Sequence, residues 1–298
     1  MVKKSCLFIV LIIGFLFFSK DSLALTVGPA KVEINASPGE KIKLQFFVRN
    51  DSDFEDNFIF DLEGFTEDGE VKNFYKNPPE KDWFQLPKSI KLKPKELKYV
   101  DVEINIPQSA PPGGHFLVLW VQNKPLQEKE VQVGIVTRVG SLIYLNVAGN
   151  IIEKASFSKI DYQVFNFRFP IKFAVTVKNE GNTYIRPEGN WIIKDIFGRT
   201  KAILSINPRI LQILPHKEKI LENKWEGPFA FGPYHVLLSM NYGKDNAQSL
   251  NYNFWIFVFP LKFTIILLFV IIFLVLVLPR LIRAYNQWII KKALKSDS

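Results

Sequence analysis

The chain has 298 residues, of which 48% are hydrophobic, and its formal net charge is +9 at pH 7. This length allows two domains together with membrane segments. The excess of positive charge is concentrated at the two ends of the chain, while residues 25–258 are nearly balanced, so we expect no nucleic-acid partner.

Residues 1–24 are typical of a secretory signal peptide. Lys3 and Lys4 precede an apolar run from Cys6 to Phe18, and the small residues Ser22 and Ala24 predict cleavage after residue 24. An uncleaved anchor is the alternative, but the run is short for a membrane span. Cys6 is the only cysteine. The mature protein is therefore predicted to have no disulfide and no thiolate metal site.

Residues 25–150 are predicted to form a first antiparallel β-sandwich. Ile42, Leu44 and Phe46 alternate with polar residues, which is the period of a half-buried strand. Turn signals lie at 37–40, 67–70 and 111–114. The predicted strands cover 41–48, 57–65, 100–106, 115–121, 131–138 and 142–147. Several short strands separated by turns favour a sandwich.

Residues 151–258 repeat this character and are predicted to form a second sandwich. The predicted strands cover 171–177, 191–196, 210–214, 219–225, 234–241 and 250–258. Almost no linker follows the last strand. We therefore expect the second domain to stand close to the membrane and the first domain to be distal.

Residues 259–278 are predicted to form a transmembrane helix, because they are almost entirely apolar over about the 20 residues that one span needs. A buried core helix is the alternative. Residues 279–298 then form a basic cytoplasmic tail, and Pro279 is expected to kink or end the helix. Positive residues on the inner side give a single-pass type I topology with the bulk of the chain outside. The residues predicted to anchor the chain at the two interfaces are Trp255, Lys262, Arg280, Arg283 and Trp288.

Two stretches of the first domain, SPGEKIKLQFFVRNDSD and APPGGHFLVLWV, resemble the N-terminal domain of the WxL-protein-interacting surface proteins. VKNEGNTYIRPEGNWIIKDIFGR and GPYHVLLSMNYG are similar to the second domain of that family. The first domain also resembles, more loosely, that of the periplasmic pilus chaperones. The resemblance implies two tandem immunoglobulin-like sandwiches, a membrane anchor and binding of a surface protein or cell-wall polymer. No basic carboxylate-anchoring pair is assigned, since Lys31 and Arg138 do not align with one.

The sequence offers little that points to catalysis. The three histidines, His115, His216 and His235, have no partner at metal-ligand spacing, and no nucleophile motif or phosphate-binding glycine loop is present. The acidic run 51–56 lacks the pattern of a calcium loop and is interpreted as a solvated turn. We therefore predict a protein that is not an enzyme, with no cofactor and no metal.

Two features of the first domain are candidates for partner binding. Gly113 and Gly114 either form a turn or line a groove that a partner strand or polymer enters. The insertion at 68–84 either presents a recognition surface or folds back over a sheet edge. Its aromatic residues are Phe74, Tyr75, Trp83 and Phe84.

The first functional hypothesis is a membrane-anchored extracytoplasmic adaptor, which presents its distal sandwich to another surface protein or an envelope polymer. The lipid bilayer is the second expected partner. The alternative is a membrane-tethered secretion or assembly chaperone that acts by β-strand addition. An enzyme with an unrecognised site is the third hypothesis.

Overall fold

A computed structural model describes residues 25–69, 71–123, 136–227 and 230–296, with side chains described as far as residue 289. The predicted signal peptide and most of the predicted strand at 131–138 lie outside these residues. The chain divides into two compact units, Met1–Ile152 and Glu153–Ser298, which we call domain 1 and domain 2. Domain 2 includes the C-terminal helix.

Domain 1 is a sandwich of two sheets. Its strands are β1 (Leu25–Gly28), β2 (Lys31–Ala36), β3 (Lys41–Asn50), β4 (Asp56–Asp68), β5 (Val71–Lys76), β6 (Phe84–Gln85), β7 (Ser89–Leu92), β8 (Leu97–Asn105), β9 (Gly113–Asn123) and β10 (Arg138–Val147). The small sheet has the order β1-β3-β8-β6. The large sheet has the order β2-β10-β9-β4-β5, and β7 also pairs with β4. All neighbours are antiparallel except β2 and β10, which are parallel.

Domain 2 repeats this strand order. Its strands are β11 (Ala155–Tyr162), β12 (Phe165–Asn166), β13 (Ile171–Asn179), β14 (Glu188–Asp195), β15 (Thr200–Ser205), β16 (Glu218–Trp225), β17 (Gly232–Tyr242) and β18 (Gln248–Val258). The sheets have the orders β11-β13-β16 and β12-β18-β17-β14-β15. In domain 1, β1, β3 and β8 lie in one sheet and β4, β9 and β10 in the other, and in domain 2 the corresponding sets are β11, β13 and β16 in one sheet and β14, β17 and β18 in the other. This is the immunoglobulin-like arrangement, and it confirms the predicted fold class.

The core of each domain lies between its sheets, where the apolar sides of the alternating strands meet. Trp191 on β14 is fully buried, and its ring stacks on Phe173 with centroids 5.3 Å apart. β14 takes the place of the third strand of an immunoglobulin domain, where a buried tryptophan is a hallmark. Domain 1 has two core clusters, of which the smaller lies under β1 and is described below.

One long helix follows β18 after two residues. It consists of α1 (Leu261–Ile272), a π-helical turn (Phe273–Val277) and α2 (Leu278–Ser296). The stretch Leu261–Ile289 is long and apolar enough to cross a membrane, and none of its most apolar part is buried against the protein. Of the two outcomes expected for Pro279, an end of the helix is wrong, since α2 continues to Ser296, and a kink stays a prediction. The helix widens into the π-helical turn just before Pro279 and continues, because such a turn re-accommodates the carbonyl that proline leaves without a donor.

The predicted strand at 210–214 is also wrong. This stretch is a loop with a single bridge between Ile213 and Ile185. Ile210 has a positive φ of 51°, which interrupts an extended strand. The side chain of Asn207 holds the loop by accepting a bond from the Leu211 N–H and donating to the Leu211 carbonyl.

Candidate functional site

One side of domain 1 has strand edges from both sheets with no strand partner among the described residues. In the small sheet, β1 is at the edge and pairs only with β3. In the large sheet, the pairing of β10 with β2 begins at Leu142 and Lys31. The preceding part of β10, Arg138–Ser141, therefore has β9 on one side and no described strand on the other. We call this region the open side.

The two edges of the open side are joined where the chain crosses from β1 to β2. The Ser141 hydroxyl donates to the Pro29 carbonyl, and the Leu142 N–H donates to the Ala30 carbonyl at 2.9 Å. These bonds hold the edge of β10 beside the end of β1. The open side is therefore a fixed part of the fold, which a partner strand would meet already formed.

The direction of the backbone groups follows from two hydrogen bonds. The Asn123 N–H donates to the Thr137 carbonyl at 3.3 Å, across the β9–β10 pair, whereas the Leu142 N–H points the other way, toward β2. In an antiparallel pair, successive residues direct their N–H and C=O groups to opposite sides. Arg138 and Gly140 therefore direct theirs toward the open side.

A small apolar cluster lies behind this edge. It consists of Leu25, Val27, Val48, Phe58, Leu92, Val100 and Val121. Val139 of β10 packs against it and is only partly buried. The surface beside this cluster is polar, and Arg49 pairs there with Asp51 at 2.6 Å. The free backbone groups of this edge have the geometry that β-strand addition uses.

The outer face of the large sheet has a second distinctive surface, the aromatic face. It consists of Phe65, Phe74, Phe116, Trp120 and Tyr144, whose rings contact one another mostly edge to face, with centroids 5.1 to 6.4 Å apart. Such pairs contribute about 0.5–1.5 kcal/mol each beyond the area that they bury. Phe65 and Tyr144 are buried, so most of this face stabilises the sheet itself.

Lys31 and Arg138 lie on this outer face, and each has its own carboxylate. Lys31 pairs with Glu33 at 2.7 Å, and Arg138 pairs with Glu63 at 2.9 Å. The Arg138 guanidinium also lies 4.1 Å from the centroid of the Trp120 ring. Lys31 lies opposite Leu142, which is four positions after Arg138 on β10. The two cations therefore do not form a joint carboxylate-binding pair.

The insertion at 68–84 divides into an exposed part and a buried part. Phe74 and Tyr75 lie on β5, the edge strand of the large sheet, and are 43% and 46% exposed. Trp83 and Phe84 are buried in the main core of domain 1. Trp83 ends a short 3-10 helix, Pro79–Trp83, and β6, which begins at Phe84, pairs with β8. Only the first two aromatics are available to a partner in this structure.

Gly113 and Gly114 begin β9 and pair with Val147 and Asn146 of β10. Gly113 has a φ of 121°, which favours glycine. A Cβ at Gly114 would overlap the ring of Phe116. The structure thus gives both glycines a role in starting the strand.

A buried ion pair fixes the insertion to the sheet. His115 Nδ1 is 2.6 Å from Glu80 Oε1, and its Nε2 is 2.9 Å from the Pro111 carbonyl. The two side chains are 10% and 11% exposed. Burial by itself would lower the pKa of His115, but the hydrogen bonds to Glu80 and to the Pro111 carbonyl, together with the charge of Glu80, outweigh burial and raise that pKa. Burial would likewise raise the pKa of Glu80, but the hydrogen bond to His115, a backbone hydrogen bond and the charge of His115 together lower it.

The other histidines are not near a reactive group. His216 lies in a turn with a φ of 58°, and the ring of His235 stacks on Trp255 with centroids 4.9 Å apart. Among the described residues, no group of three or more His, Cys, Asp or Glu side chains could hold a metal ion.

The predicted membrane-anchoring residues lie along the last strand and the helix. Trp255 is half exposed on β18, and Lys262 is the second residue of α1. Arg280 donates to the Leu276 carbonyl, and the Trp288 ring stacks on Tyr285 at 6.2 Å. Arg283 is exposed on α2, in the same helix as Arg280 and Trp288.

No family model matches the chain, and no curated protein matches its sequence. The resemblance to the WxL-interacting proteins thus finds no support there. Solved structures with a similar arrangement of strands include the class 5 fimbriae chaperone CfaA, at 11% identity and a TM-score of 0.47, covering 77% of this chain and 98% of that chain. A chaperone–tip adhesin complex of CFA/I fimbriae is 14% identical with a TM-score of 0.44, and the match covers 77% of this chain and 97% of that chain. The CsuC–CsuE complex of Acinetobacter baumannii is 10% identical with a TM-score of 0.37, and the match covers 79% of this chain and 98% of that chain. The fold assignment rests on the strand order described above.

The open side was not among the residues singled out from the sequence. β1 is only four residues long, and the strand prediction at 131–138 gave no reason to expect that one half of β10 would pair with β2 and the other half would not. The available signal was Pro29, which prevents one continuous first strand and moves the chain from one sheet to the other.

Proposed function

We propose that this protein is a membrane-anchored, extracytoplasmic binding protein that takes up an extended segment of another polypeptide at the open side of domain 1. The observation that carries the proposal is the pair of strand edges at β1 and at Arg138–Ser141, held side by side in front of a small apolar cluster. Of the two functions expected from the sequence, this favours the assembly or secretion chaperone.

Natural proteins usually protect such edges with prolines, bulges, charged side chains or a covering loop. Here two edges lie together in front of a buried apolar cluster. An added strand would supply main-chain hydrogen bonds for affinity and alternate side chains for specificity.

The C-terminal helix supports the anchored part of the proposal, because its length and composition fit one membrane span. We infer that the sandwiches lie outside the cytoplasm, since basic residues follow the apolar part of the helix and basic residues are enriched on the cytoplasmic side.

A second candidate surface is favoured by the exposure of Phe74 and Tyr75 on the edge strand β5. Exposed aromatics on a rigid strand suit recognition of a surface protein or an envelope polymer, which is the adaptor function. This surface would be supported from beneath by the start of β9 at Gly113 and Gly114, and by the core residues Trp83 and Phe84.

The experiment is site-specific photocrosslinking in the native cell. A benzoylphenylalanine is placed singly at Thr26 or Val136 on the open side, at Phe74 on β5, or at the exposed Tyr99 of β8 as the matched control. Crosslinks from Thr26 and Val136 to one polypeptide, mapping to an extended segment, are expected. Crosslinks from Phe74 alone would replace strand addition with the adaptor surface. Equal crosslinking from Tyr99 would contradict both.

A further inference from the structure

The loops at one end of domain 2 expose a set of apolar side chains that the proposed function does not use. This end is where β18 runs into the helix. The exposed residues are Val164, Phe165, Phe167, Ile196, Phe197 and Phe231, with exposures from 37% to 73%. We call them the helix-end rim. Ile210, in a loop at the opposite end of the domain, is also exposed.

The loop that carries Phe165 and Phe167 is hydrogen-bonded to the start of the helix. The N–H groups of Phe257, Phe259 and Leu261 donate to the carbonyls of residues 164, 166 and 167, at 2.7, 2.8 and 3.1 Å. The last of these donors is the first residue of α1. The ring of Phe165 also stacks on Phe257, with centroids 5.4 Å apart. This loop therefore follows the chain to the point where the helix begins.

The loop before β17 contacts the first turn of the helix from another direction. The ring of Phe231 lies 5.5 Å from that of Phe259 and 5.2 Å from that of Phe263. Both contacts are edge to face. The beginning of the helix is thus held by two loops of the domain, which limits how far the domain can tilt on it.

The turn that carries Ile196 and Phe197 lies at the same end of the sheet. Asp195 is level with Tyr234, and Gly232, two residues from Tyr234, is level with Val258 at the end of β18. The turn projects past Asp195 in the same direction. Three loops of the domain therefore place exposed phenylalanines around the start of the helix.

Basic residues accompany the rim. Arg168 follows Phe167 directly, and Lys172 on β13 lies opposite Lys224 on β16. Like charges in directly opposite positions destabilise a strand pair. A nearby anion would offset this repulsion, and anionic lipid head groups lie within reach of residues at a membrane surface.

From these observations we propose that the helix-end rim is a second membrane contact, in which the phenylalanines enter the head-group region of the outer leaflet and seat domain 2 on the bilayer. The proposal rests on the proposed membrane anchoring by the helix. If the first turn of the helix lies at the bilayer boundary, the rim lies at the same depth, because hydrogen bonds and ring contacts fix the two together. Phenylalanine is among the apolar residues with which membrane-surface segments enter the head-group boundary.

The test uses the full chain, made free of cysteine by Cys6→Ser, in vesicles of phosphatidylcholine with or without phosphatidylglycerol. Single cysteines carry a spin label at Phe167→Cys and Phe197→Cys in the rim, and at Ile203→Cys and Ile210→Cys as controls that are each 61% exposed. Collisions with oxygen, which partitions into lipid, are compared with collisions with a water-soluble nickel chelate. The oxygen-to-nickel ratio is expected to be several-fold higher in the rim than at the controls, and higher still with the anionic lipid.

A label at Phe269→Cys in α1 reports the anchoring separately. If this label is in lipid while the rim labels are as accessible to the nickel chelate as the controls, the rim proposal is wrong and the anchoring is retained. If the Phe269 label is itself in water, the anchoring fails and the rim proposal fails with it.

Discussion

Asn50 and Asn179 occupy corresponding positions at the ends of β3 and β13, and both are fully buried. The Asn179 amide donates to the carbonyls of Thr183 and Ile213 at 2.7 and 2.9 Å, and its oxygen accepts the Gly181 N–H. Asn50 makes the same set of bonds with its own loop. Asn50 therefore ties the loop after β3 to the chain before β8, and Asn179 ties the loop after β13 to the chain before β16.

Replacing Asn179 with Ala is expected to destabilise domain 2 by about 2 kcal/mol, because two buried carbonyls and one N–H lose their partner. The measurement is thermal unfolding of the full chain, with limited proteolysis to assign the change to domain 2. Asn190→Ala, at an exposed position of β14, is the control and is expected to change stability by less than about 0.5 kcal/mol. Equal stability of the two variants would contradict this role for the buried amide.

The His115–Glu80 pair predicts how the stability of domain 1 depends on pH. The raised pKa of His115 means that its contribution is present below its ordinary value of 6.5 and is lost as the pH rises through the folded pKa. The lowered pKa of Glu80 means that its contribution is present above 4.5 and is lost as the pH falls through the folded pKa. The pair therefore stabilises most between these two values.

His115→Gln is expected to flatten the fall in melting temperature of domain 1 above pH 6.5, since the histidine can no longer lose its proton there. The melting temperature is measured at intervals from pH 5 to 8.5. His216→Asn removes a histidine from a turn of domain 2 and serves as the matched control, because asparagine tolerates its positive φ. If the melting temperature of His115→Gln falls above pH 6.5 as steeply as that of the wild type, the His115–Glu80 pair is not the source of the fall.

At the scale of the element, the edge of β10 offers a substitution that separates backbone from side chain. The Arg138 N–H points to the open side, so Arg138→Pro removes an edge donor without removing a bond to β9. Arg138→Ala loses the same ion pair with Glu63 but keeps the donor. Proline is expected to lower crosslinking from Val136 to the partner at least about tenfold relative to alanine, given the loss of a backbone bond and a clash with the added strand.

Both variants must first give the wild-type proteolysis pattern for domain 1. If alanine reduces crosslinking as strongly as proline does, the guanidinium and not the strand edge carries the binding. If neither substitution has an effect, strand addition at β10 does not occur.

For the whole molecule, the type I arrangement can be tested with the cysteine-free chain. A cysteine replacing the highly exposed Phe54 of domain 1 is expected to react with a membrane-impermeant maleimide added to cells that lack an outer membrane or have had it removed. A cysteine replacing Asn286, on the tail side of the helix, is expected to react only after the membrane is permeabilised. The reverse pattern would place the sandwiches inside the cell.

The sequence alone determined the features that depend on local pattern. The alternation at 41–48 predicts β3, since successive side chains of a strand point to opposite faces, and a long apolar run after residue 258 predicts a helix able to span a membrane. The regular spacing of strands and turns was enough to predict two antiparallel sandwiches, and the resemblance to a known family supplied the immunoglobulin-like type. These properties are set by neighbours in the chain.

The tertiary structure decided which of these side chains remain accessible. The insertion at 68–84 exposes Phe74 and buries Trp83, although both are aromatic residues among charges. The open side exists because β2 covers only the second half of β10, a pairing between residues about 110 positions apart in the chain. Alternation specifies the face of a strand that is apolar, but what covers that face depends on contacts distant in sequence, and no local pattern contains them.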